Sequence, residues 1–231
     1  MNAALKDLQN MAWYQHEHDR IFHSDIYNMR PQDKVKHFVS HLTKYGCRLA
    51  IATRRGHDEE AVTKLLLDTF IICLSMANTF QINISTIPNF MVDLSAWEKD
   101  LPTNDKIRAL TSHLRQQYNK VDPMQDAIGV NQGDEIIYNI IAKMADASKA
   151  VEAWDHLEDY PFVANLKKLV PEYLEITLVA LDYFGVNYLL SKYNKRMISV
   201  EKKNPFYEVL RKNLLSNVDG FQFAEPVPIV D

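Results

Sequence analysis

Two segments of the chain share one pattern of apolar and polar positions. Residues 64–83 read KLLLDTFIICLSMANTFQIN, and residues 168–187 read KLVPEYLEITLVALDYFGVN. Each segment is apolar on nearly every side of a helix, which predicts a buried helix. Each also carries a carboxylate at the matched position, Asp68 in the first and Glu172 in the second. Because a buried carboxylate is costly unless something pairs with it or binds to it, the pattern predicts two tandem helical units built around polar sites.

An amphipathic helix is predicted before each buried helix, over residues 33–53 and 134–154. The inward faces are predicted to be Val35, Phe38, Leu42, Tyr45, Gly46 and Leu49 in the first helix, and Ile137, Ile140, Ile141, Met144, Ser148 and Val151 in the second. Each unit is then an amphipathic helix, a loop and a buried helix. Four such helices can pack as a bundle with pseudo-twofold symmetry.

The limits of the buried helices follow from capping and helix-breaking residues. Asp58 is expected to cap the first buried helix, which is predicted over residues 59–79 and has acidic residues in its first turn. Pro171 is expected to kink or restart the second buried helix, which then passes Gly185 and continues toward Met197.

The pattern divides the chain into five segments. They are an N-terminal extension (1–30), a first helical unit (31–85), a connector (86–133), a second helical unit (134–200), and a C-terminal helix with a tail (201–231). The connector contains three prolines around a polar helix, which is typical of a link between two units.

Composition narrows the class of protein. Only six glycines, and no alternating segments bounded by hairpin turns, predict an all-α fold. Hydrophobic content of 47% and charged content of 24% are typical of a globular protein, and a net charge of −4 favours neither nucleic acid nor an anionic membrane as a partner. Two cysteines in predicted helices, no leader-like start and no apolar run of about eighteen residues predict a cytoplasmic protein without a membrane span.

The two-unit pattern resembles the MazG-like family of all-α nucleoside triphosphate pyrophosphohydrolases. In that family an ExxE motif on one helix and an ExxD motif on the next bind Mg²⁺, and a trailing Lys…Asn…Arg segment contacts phosphates. The resemblance covers about half of each unit, and it makes this chain a distant, degenerate tandem member. It implies Mg²⁺ as cofactor, an NTP or dNTP as ligand, and release of pyrophosphate.

The first unit departs from the family pattern. Leu65 stands where the family has the glutamate of ExxD, and Lys44 and Cys47 stand near the ExxE pair. Only Asp68 remains, and one carboxylate beside a lysine does not hold Mg²⁺ in the family manner. We therefore expect Asp68 to be structural, paired with a buried base such as Lys44 or hydrogen-bonded to its neighbours.

The second unit keeps more of the family pattern. Glu172 and Glu175 are its candidate catalytic residues, and Asp182 falls on the same stripe of the helix. One further metal ligand is expected from the preceding helix: Asp146 by alignment or Glu152 by its place on the helical wheel, two alternatives that stay open. The candidate metal ligands are therefore Glu172, Glu175 and Asp182, with Asp146 or Glu152 as the alternatives from the preceding helix.

A basic segment follows the second buried helix. Lys192, Lys195 and Arg196 resemble the phosphate-contacting end of the family, so they are the candidate substrate-binding residues. The equivalent segment after the first buried helix, ISTIPNFM, has no basic residue. A triphosphate site is therefore expected in the second unit.

Histidines form two further clusters, one at His16, His18 and His23 and one at His37 and His41. A histidine pair one turn apart can bind Zn²⁺, but it needs more ligands, and neither HExxH nor a cysteine-based spacing occurs. We expect these histidines to lie on a solvated face or to pack near the amino terminus.

Two hypotheses follow. The first is a MazG-like pyrophosphohydrolase, or a nucleotide-binding relative, with its site in the second unit. The alternative is a catalytically inactive helical scaffold that binds a protein partner. The sequence leaves open whether the chain forms a homo-oligomer.

Overall fold

The computed structural model describes residues 3–54, 58–91, 105–121, 131–156 and 161–218. In these residues the regular structure is helical. The α-helices are α1 (Ala3–Phe22), α2 (Ser24–Tyr27), α3 (Pro31–Arg54), α4 (Glu59–Thr79), α5 (Ile107–Val121), α6 (Gln132–Asp155), α7 (Phe162–Tyr183), α8 (Leu189–Glu201) and α9 (Tyr207–Asn217). Two short 3₁₀ turns, Ile84–Thr86 and Pro88–Phe90, follow α4. The predicted all-α fold is confirmed.

Four long helices form the centre of the molecule. The amphipathic helices α3 and α6 pack on each other and on their buried partners, α4 and α7, which also pack on each other. The two buried helices meet where Cys73 Sγ lies 4.0 Å from Thr177 Oγ1. Between α3 and α6 the approach is close at Gly46, because a Cβ there would overlap the Sδ atom of Met144. One hydrophobic core therefore contains residues of both predicted units.

Side-chain caps begin two of the central helices, and the first of these caps, Asp58, matches the sequence prediction. Asp58 caps α4 by accepting a hydrogen bond from the Ala61 backbone N–H at 3.0 Å. Asn131 caps α6 in the same way, accepting from the Gly133 N–H at 2.7 Å. Local capping chemistry thus fixed the starts of two of the four central helices.

Helix α1, within the segment 1–30 that was predicted as an N-terminal extension, is part of the core. Helix α1 packs on α4, α5 and α9, and its buried side chains include Leu5, Leu8, Met11 and Tyr14. These residues recur at helical spacing, so the sequence did carry the signal. The polar residues between them concealed it.

The expected restart of α7 at Pro171 and its expected continuation toward Met197 are both wrong, whereas a kink at Pro171 stays a prediction. The helix runs through Pro171 without restarting, since Leu166, Val170 and Leu174 are buried on both sides of the proline and hold one continuous helix in the core. The helix also ends at Tyr183 and does not continue toward Met197, because Gly185 takes a left-handed conformation (φ 69°) and α8 begins anew at Leu189.

Parts of the predicted inward faces also differ. Tyr45 is half-buried, and Ser148 is exposed. The buried face of α6 instead comprises Ile136, Ile137, Ile140, Met144, Ala147, Ala150 and Ala153. The alanines near the end of α6 are small, so α3 and α7 can pack closely against it. A hydropathy pattern does not indicate that these positions require small side chains. Within the ranges given above, none of the helices combines the length and the hydropathy that crossing a bilayer requires.

Candidate functional site

Each buried helix lines a pocket with the same four positions. On α4 the pocket residues are Asp68, Ile71, Ile72 and Ser75. On α7 they are Glu172, Glu175, Ile176 and Val179, and each lies 104 positions after its counterpart on α4. Cys73 and Thr177, which are in contact, are separated by the same 104 positions. We call these the Asp68 pocket, about 240 Å³ in volume, and the Glu172 pocket, about 230 Å³.

The facing amphipathic helix supplies a pair of polar side chains, one turn apart, to each pocket. In the Asp68 pocket they are His37 and His41 of α3, whose ring centroids lie 4.5 Å apart. In the Glu172 pocket they are Asn139 and Lys143 of α6. The two pockets thus share a plan but differ in the chemistry of their walls.

Asp68 is held by an arginine whose side chain is largely buried. Its two carboxylate oxygens accept hydrogen bonds from Arg196 Nε at 2.6 Å and Nη2 at 3.0 Å. The side chains of Asp68 and Arg196 are only 10% and 15% exposed, so the pair is bidentate and largely dry. The expectation of a buried ion pair is confirmed, but the expected partner Lys44 is wrong. Lys44 lies on the outer face of α3, over the Tyr45 ring at 4.6 Å.

Glu172 is held by a lysine in a more open place. Lys143 Nζ donates to Glu172 Oε2 at 2.6 Å, and the two side chains are 26% and 36% exposed. Lys168 approaches the other oxygen at 4.0 Å. Glu175, one turn along, accepts two hydrogen bonds from Asn89 Nδ2 at 2.9 and 3.0 Å. Both candidate catalytic carboxylates therefore line one pocket, each with its own partner.

The other candidate metal ligands lie elsewhere. Asp182 accepts from Ser112 Oγ at 2.7 Å and pairs with Arg115 at 3.4 Å. Glu152 is 53% exposed and pairs with Lys149 at 3.4 Å, and Asp146 is exposed. Among the residues that the structure describes, no three His, Cys, Asp or Glu side chains come together as a metal-binding group.

The candidate substrate-binding residues are divided between environments. Arg196 lines the Asp68 pocket, which shares no residue with the Glu172 pocket. Lys195 is exposed, and burial lowers the pKa of the half-buried Lys192. Arg196, from the basic segment after the second buried helix, thus pairs with Asp68 of the first buried helix. The pair forms because α8, which carries Arg196, packs against α4.

A buried polar network joins α1 to the carboxyl-terminal helices, and sequence reasoning did not predict it. Glu201, whose side chain is fully buried, accepts from Arg211 at 2.6 and 2.8 Å and from the Tyr14 hydroxyl at 3.0 Å. Burial, and then the charge of Glu201, raise the pKa of Tyr14. Tyr193 donates to Gln15 at 2.8 Å. The partners lie up to 197 positions apart, so no local signal pointed to them.

The predicted solvated histidines are mostly pocket residues. His18, His23, His37 and His41 all line the Asp68 pocket. Burial, helped by nearby positive charge, lowers the pKa of His41 to about 4, and burial also lowers the pKa values of His23 and His37. Packing near the amino terminus, one of the two expectations, is confirmed for His18, which is buried.

His16 has a different place from the other four. It stacks on Trp13 at 5.5 Å and lies outside the Asp68 pocket, against Tyr27.

Comparison of the chain with protein-family models, with curated proteins and with solved structures gave no match.

Proposed function

We propose that this chain is a MazG-like tandem helical bundle that binds a nucleotide at its Glu172 pocket and does not use Mg²⁺ to hydrolyse it. The observation that carries the proposal is the Lys143 ammonium, which lies against Glu172 inside that pocket. It neutralises the carboxylate that the family pattern would use for the metal, and it is a cation that a phosphate group can bind.

The tandem arrangement is supported by contacts between matched positions. Cys73 touches Thr177, its own counterpart in the second repeat, as expected for residues near a twofold axis. The buried helices also end alike: Gln81 and Gly185, again counterparts, both have positive φ, at 57° and 69°. Such agreement of side-chain contact and backbone supports a pseudo-twofold relation between the units.

The carboxylates as arranged do not fit a magnesium ion. Mg²⁺ requires near-octahedral oxygen coordination and is bound through carboxylates that converge on it. Here Lys143 donates to one oxygen of Glu172, and Asn89 donates to both oxygens of Glu175. Asp182 accepts from Ser112 and pairs with Arg115. A bound cation would compete with the protein partners of these three carboxylates.

The Glu172 pocket offers hydrogen-bond donors from α6, Lys143 and Asn139. The Tyr118 hydroxyl of α5 also lines the pocket, but it accepts from Asn139 Nδ2 and donates to Glu135 Oε1 at 3.2 Å. Because Lys143 and Glu172 are about a third exposed, their ion pair can exchange partners at low cost. A ligand phosphate would compete with Glu172 for Lys143, and Asn139 would donate to the same group.

The test is a titration of the full chain with common NTPs and dNTPs, followed by thermal shift and by pyrophosphate release, each with and without Mg²⁺. We expect at least one nucleotide to raise the melting temperature without Mg²⁺, with no release of pyrophosphate. Lys143→Met should weaken binding about tenfold or more, since it removes the cation. Lys149→Met, on the exposed face of the same helix, is the matched control and should bind as wild type.

Two results would contradict the proposal. Mg²⁺-dependent release of pyrophosphate would restore the hydrolase hypothesis and assign a metal to Glu172 and Glu175. Absence of binding to every nucleotide would leave the inactive, partner-binding scaffold as the better hypothesis.

A further inference from the structure

The Asp68 pocket contains a buried histidine whose hydrogen bonds are unmet. The His18 side chain is 2% exposed, and neither ring nitrogen has a hydrogen-bond partner. The nearest acids are Asp19, 3.5 Å from Nδ1, and Glu201, 3.8 Å from Nε2. Burying both ring nitrogens without a hydrogen-bond partner is unfavourable. A ligand in the pocket could supply what His18 lacks.

Three more imidazoles line the same pocket, and burial holds the pKa values of His23, His37 and His41 below their ordinary range. Near pH 7 they are therefore neutral. A neutral imidazole donates through one nitrogen and accepts through the other. His41 Nδ1 is already engaged by the Tyr45 hydroxyl at 3.1 Å and by Lys44 Nζ at 3.3 Å. Through the other imidazole nitrogens, this wall of the pocket is suited to a partner that also carries both donors and acceptors.

Charge in the pocket is balanced. Asp68 is matched by Arg196 in a bidentate pair, and Asp19 accepts from Ser75 at 2.6 Å and from Gln15 at 2.7 Å. Lys203, the other cation on the lining, lies at the exposed rim. Two carboxylates and two cations cancel, so the pocket gives no net electrostatic preference for a charged ligand.

The remaining wall is apolar and the space is small. Ile26, Phe38, Ile71, Ile72, Met197 and Val200 contribute apolar surface from four helices. Pockets for drug-sized ligands usually measure about 300–1,000 Å³, and this one measures about 240 Å³. It therefore suits a molecule of one or two fused rings. Aromatic rings in the wall favour a flat ligand, because they pack on a ring face.

We propose that the Asp68 pocket binds a small, uncharged nitrogen heterocycle, whose ring nitrogens exchange hydrogen bonds with His18 and its neighbouring imidazoles. The flat faces of the heterocycle pack on the apolar wall. The Asp68–Arg196 pair closes one side of the pocket and orients the ligand edge. This proposal does not depend on the Glu172 pocket, so either site can fail without the other.

The experiment is a titration of the full chain with adenine, cytosine, uracil and imidazole, monitored by the ring resonances of ¹⁵N-labelled histidines and by calorimetry. Indene, which lacks ring nitrogens, and benzoate, which carries a charge, are the matched negative probes. We expect saturable binding of at least one nitrogen heterocycle, with the largest shift at His18. The same result in EDTA is expected, because the site needs no metal.

Two variants test the placement. His18→Phe keeps the ring but removes both nitrogens, and it should reduce affinity at least tenfold while preserving the stack on Phe22, now at 5.0 Å. Ile72→Trp fills the pocket and should abolish binding, which keeps the test valid if His18→Phe does not fold. His113→Phe, on α5 and outside the pocket, is the control and should bind as wild type.

Several outcomes would overturn the proposal. They are tighter binding of benzoate than of any heterocycle, loss of binding in EDTA, heterocycle affinity unchanged by both pocket variants, and no binding of any probe at millimolar concentration. The first would indicate an anion site and the second a metal site.

Discussion

The Asp68 and Glu172 pockets each have a carboxylate at a matched position of a buried helix, α4 or α7, but the two carboxylates lie in different surroundings. In the Asp68 pocket, the side chains of Asp68 and Arg196 are 10% and 15% exposed and are joined by two hydrogen bonds. In the second, Glu172 and Lys143 are 36% and 26% exposed and bond through one. Acids at matched positions of two similar helices therefore need not have the same role. The partner and the burial of each acid decide whether the pair is a structural element or an exchangeable contact.

The largest expected difference between the pockets is in stability. Arg196→Met leaves the Asp68 carboxylate buried without its cation, so we expect the free energy of unfolding to fall by about 3–5 kcal/mol. The matched change Lys143→Met, in a pair that water reaches, should cost less than about 1 kcal/mol. Urea denaturation of both variants measures the contrast. Equal losses would mean that the two ion pairs are equally buried and equally important for the fold.

The acid side of the same pair gives a second, related prediction. Asp68→Ala strands the Arg196 guanidinium and should destabilise the fold by roughly 3–5 kcal/mol. Asp68→Asn should cost less, because an amide oxygen still accepts from the arginine. A melting temperature that neither change moves would show that the pair contributes nothing to the fold.

The pockets should also differ in their response to acid. Burial first, and then Lys44 and His37, lower the pKa of His41 from 6.5 to about 4, whereas Asp68 opposes the shift. Between these two pKa values the unfolded chain binds more protons at His41 than the native chain does. The free energy of unfolding therefore falls as the pH drops from 6.5 toward about 4, and the contribution of His41 is complete above pH 6.5. Removing the titrating group with His41→Gln should flatten this part of the stability curve.

Denaturation at a series of pH values from neutral downward measures this dependence. The difference between wild type and His41→Gln isolates the histidine from the carboxylates that titrate nearby. Parallel curves for the two proteins would contradict the burial of His41.

A smaller difference is expected at the turns that end the two buried helices. Gly185 has φ 69° and no atom within 4 Å of a Cβ built on it, so Gly185→Ala should cost about 1 kcal/mol through backbone strain alone. Gln81 already bears a side chain at φ 57°. Gln81→Gly relieves strain but adds unfolded-state entropy, and its net effect should stay below about 0.5 kcal/mol. Thermal unfolding of both variants measures these effects, and a loss of similar size at both sites would show that the two turns are equivalent.

The smallest expected effect is that of magnesium. Because every candidate carboxylate of the second unit has a protein partner or faces solvent, millimolar Mg²⁺ should leave the melting temperature of the ligand-free chain unchanged. Glu175→Gln removes one charge from the Glu172 pocket and serves as the comparison. A clear rise in melting temperature with Mg²⁺ in wild type, lost in Glu175→Gln, would favour the metal site that the family resemblance implies.

Local signals in the sequence predicted much of the framework. The apolar spacing gave α3, α4 and α6 nearly to their ends, and Asp58 marked the start of α4. Gly185 was visible as well, but its effect was underestimated. A glycine within an apolar run can be tolerated in a helix or can end it, and the left-handed turn it takes here depends on where α8 must go.

The sites were less predictable from the sequence than the helices. Glu172 and Glu175 do line a pocket, as expected of candidate site residues, but Asp146 and Glu152 are exposed. The four histidines of the Asp68 pocket come from α1, from α3 and from the junction between α1 and α2. The sequence pattern placed them in two separate clusters and did not predict that they share a pocket. An error of one position in the rotation of a helix moves a side chain from a pocket to the solvent.

The sequence by itself determined that the chain is helical and that two buried helices carry a carboxylate at matched positions, because helical periodicity, capping and burial are properties of neighbouring residues. Only the tertiary structure decided which group each carboxylate meets. Arg196 reaches Asp68 across 128 positions, and Arg211 reaches Tyr14 across 197. Such contacts depend on how helices rotate and cross when their ridges pack together, which is a property of the whole core and not of any segment.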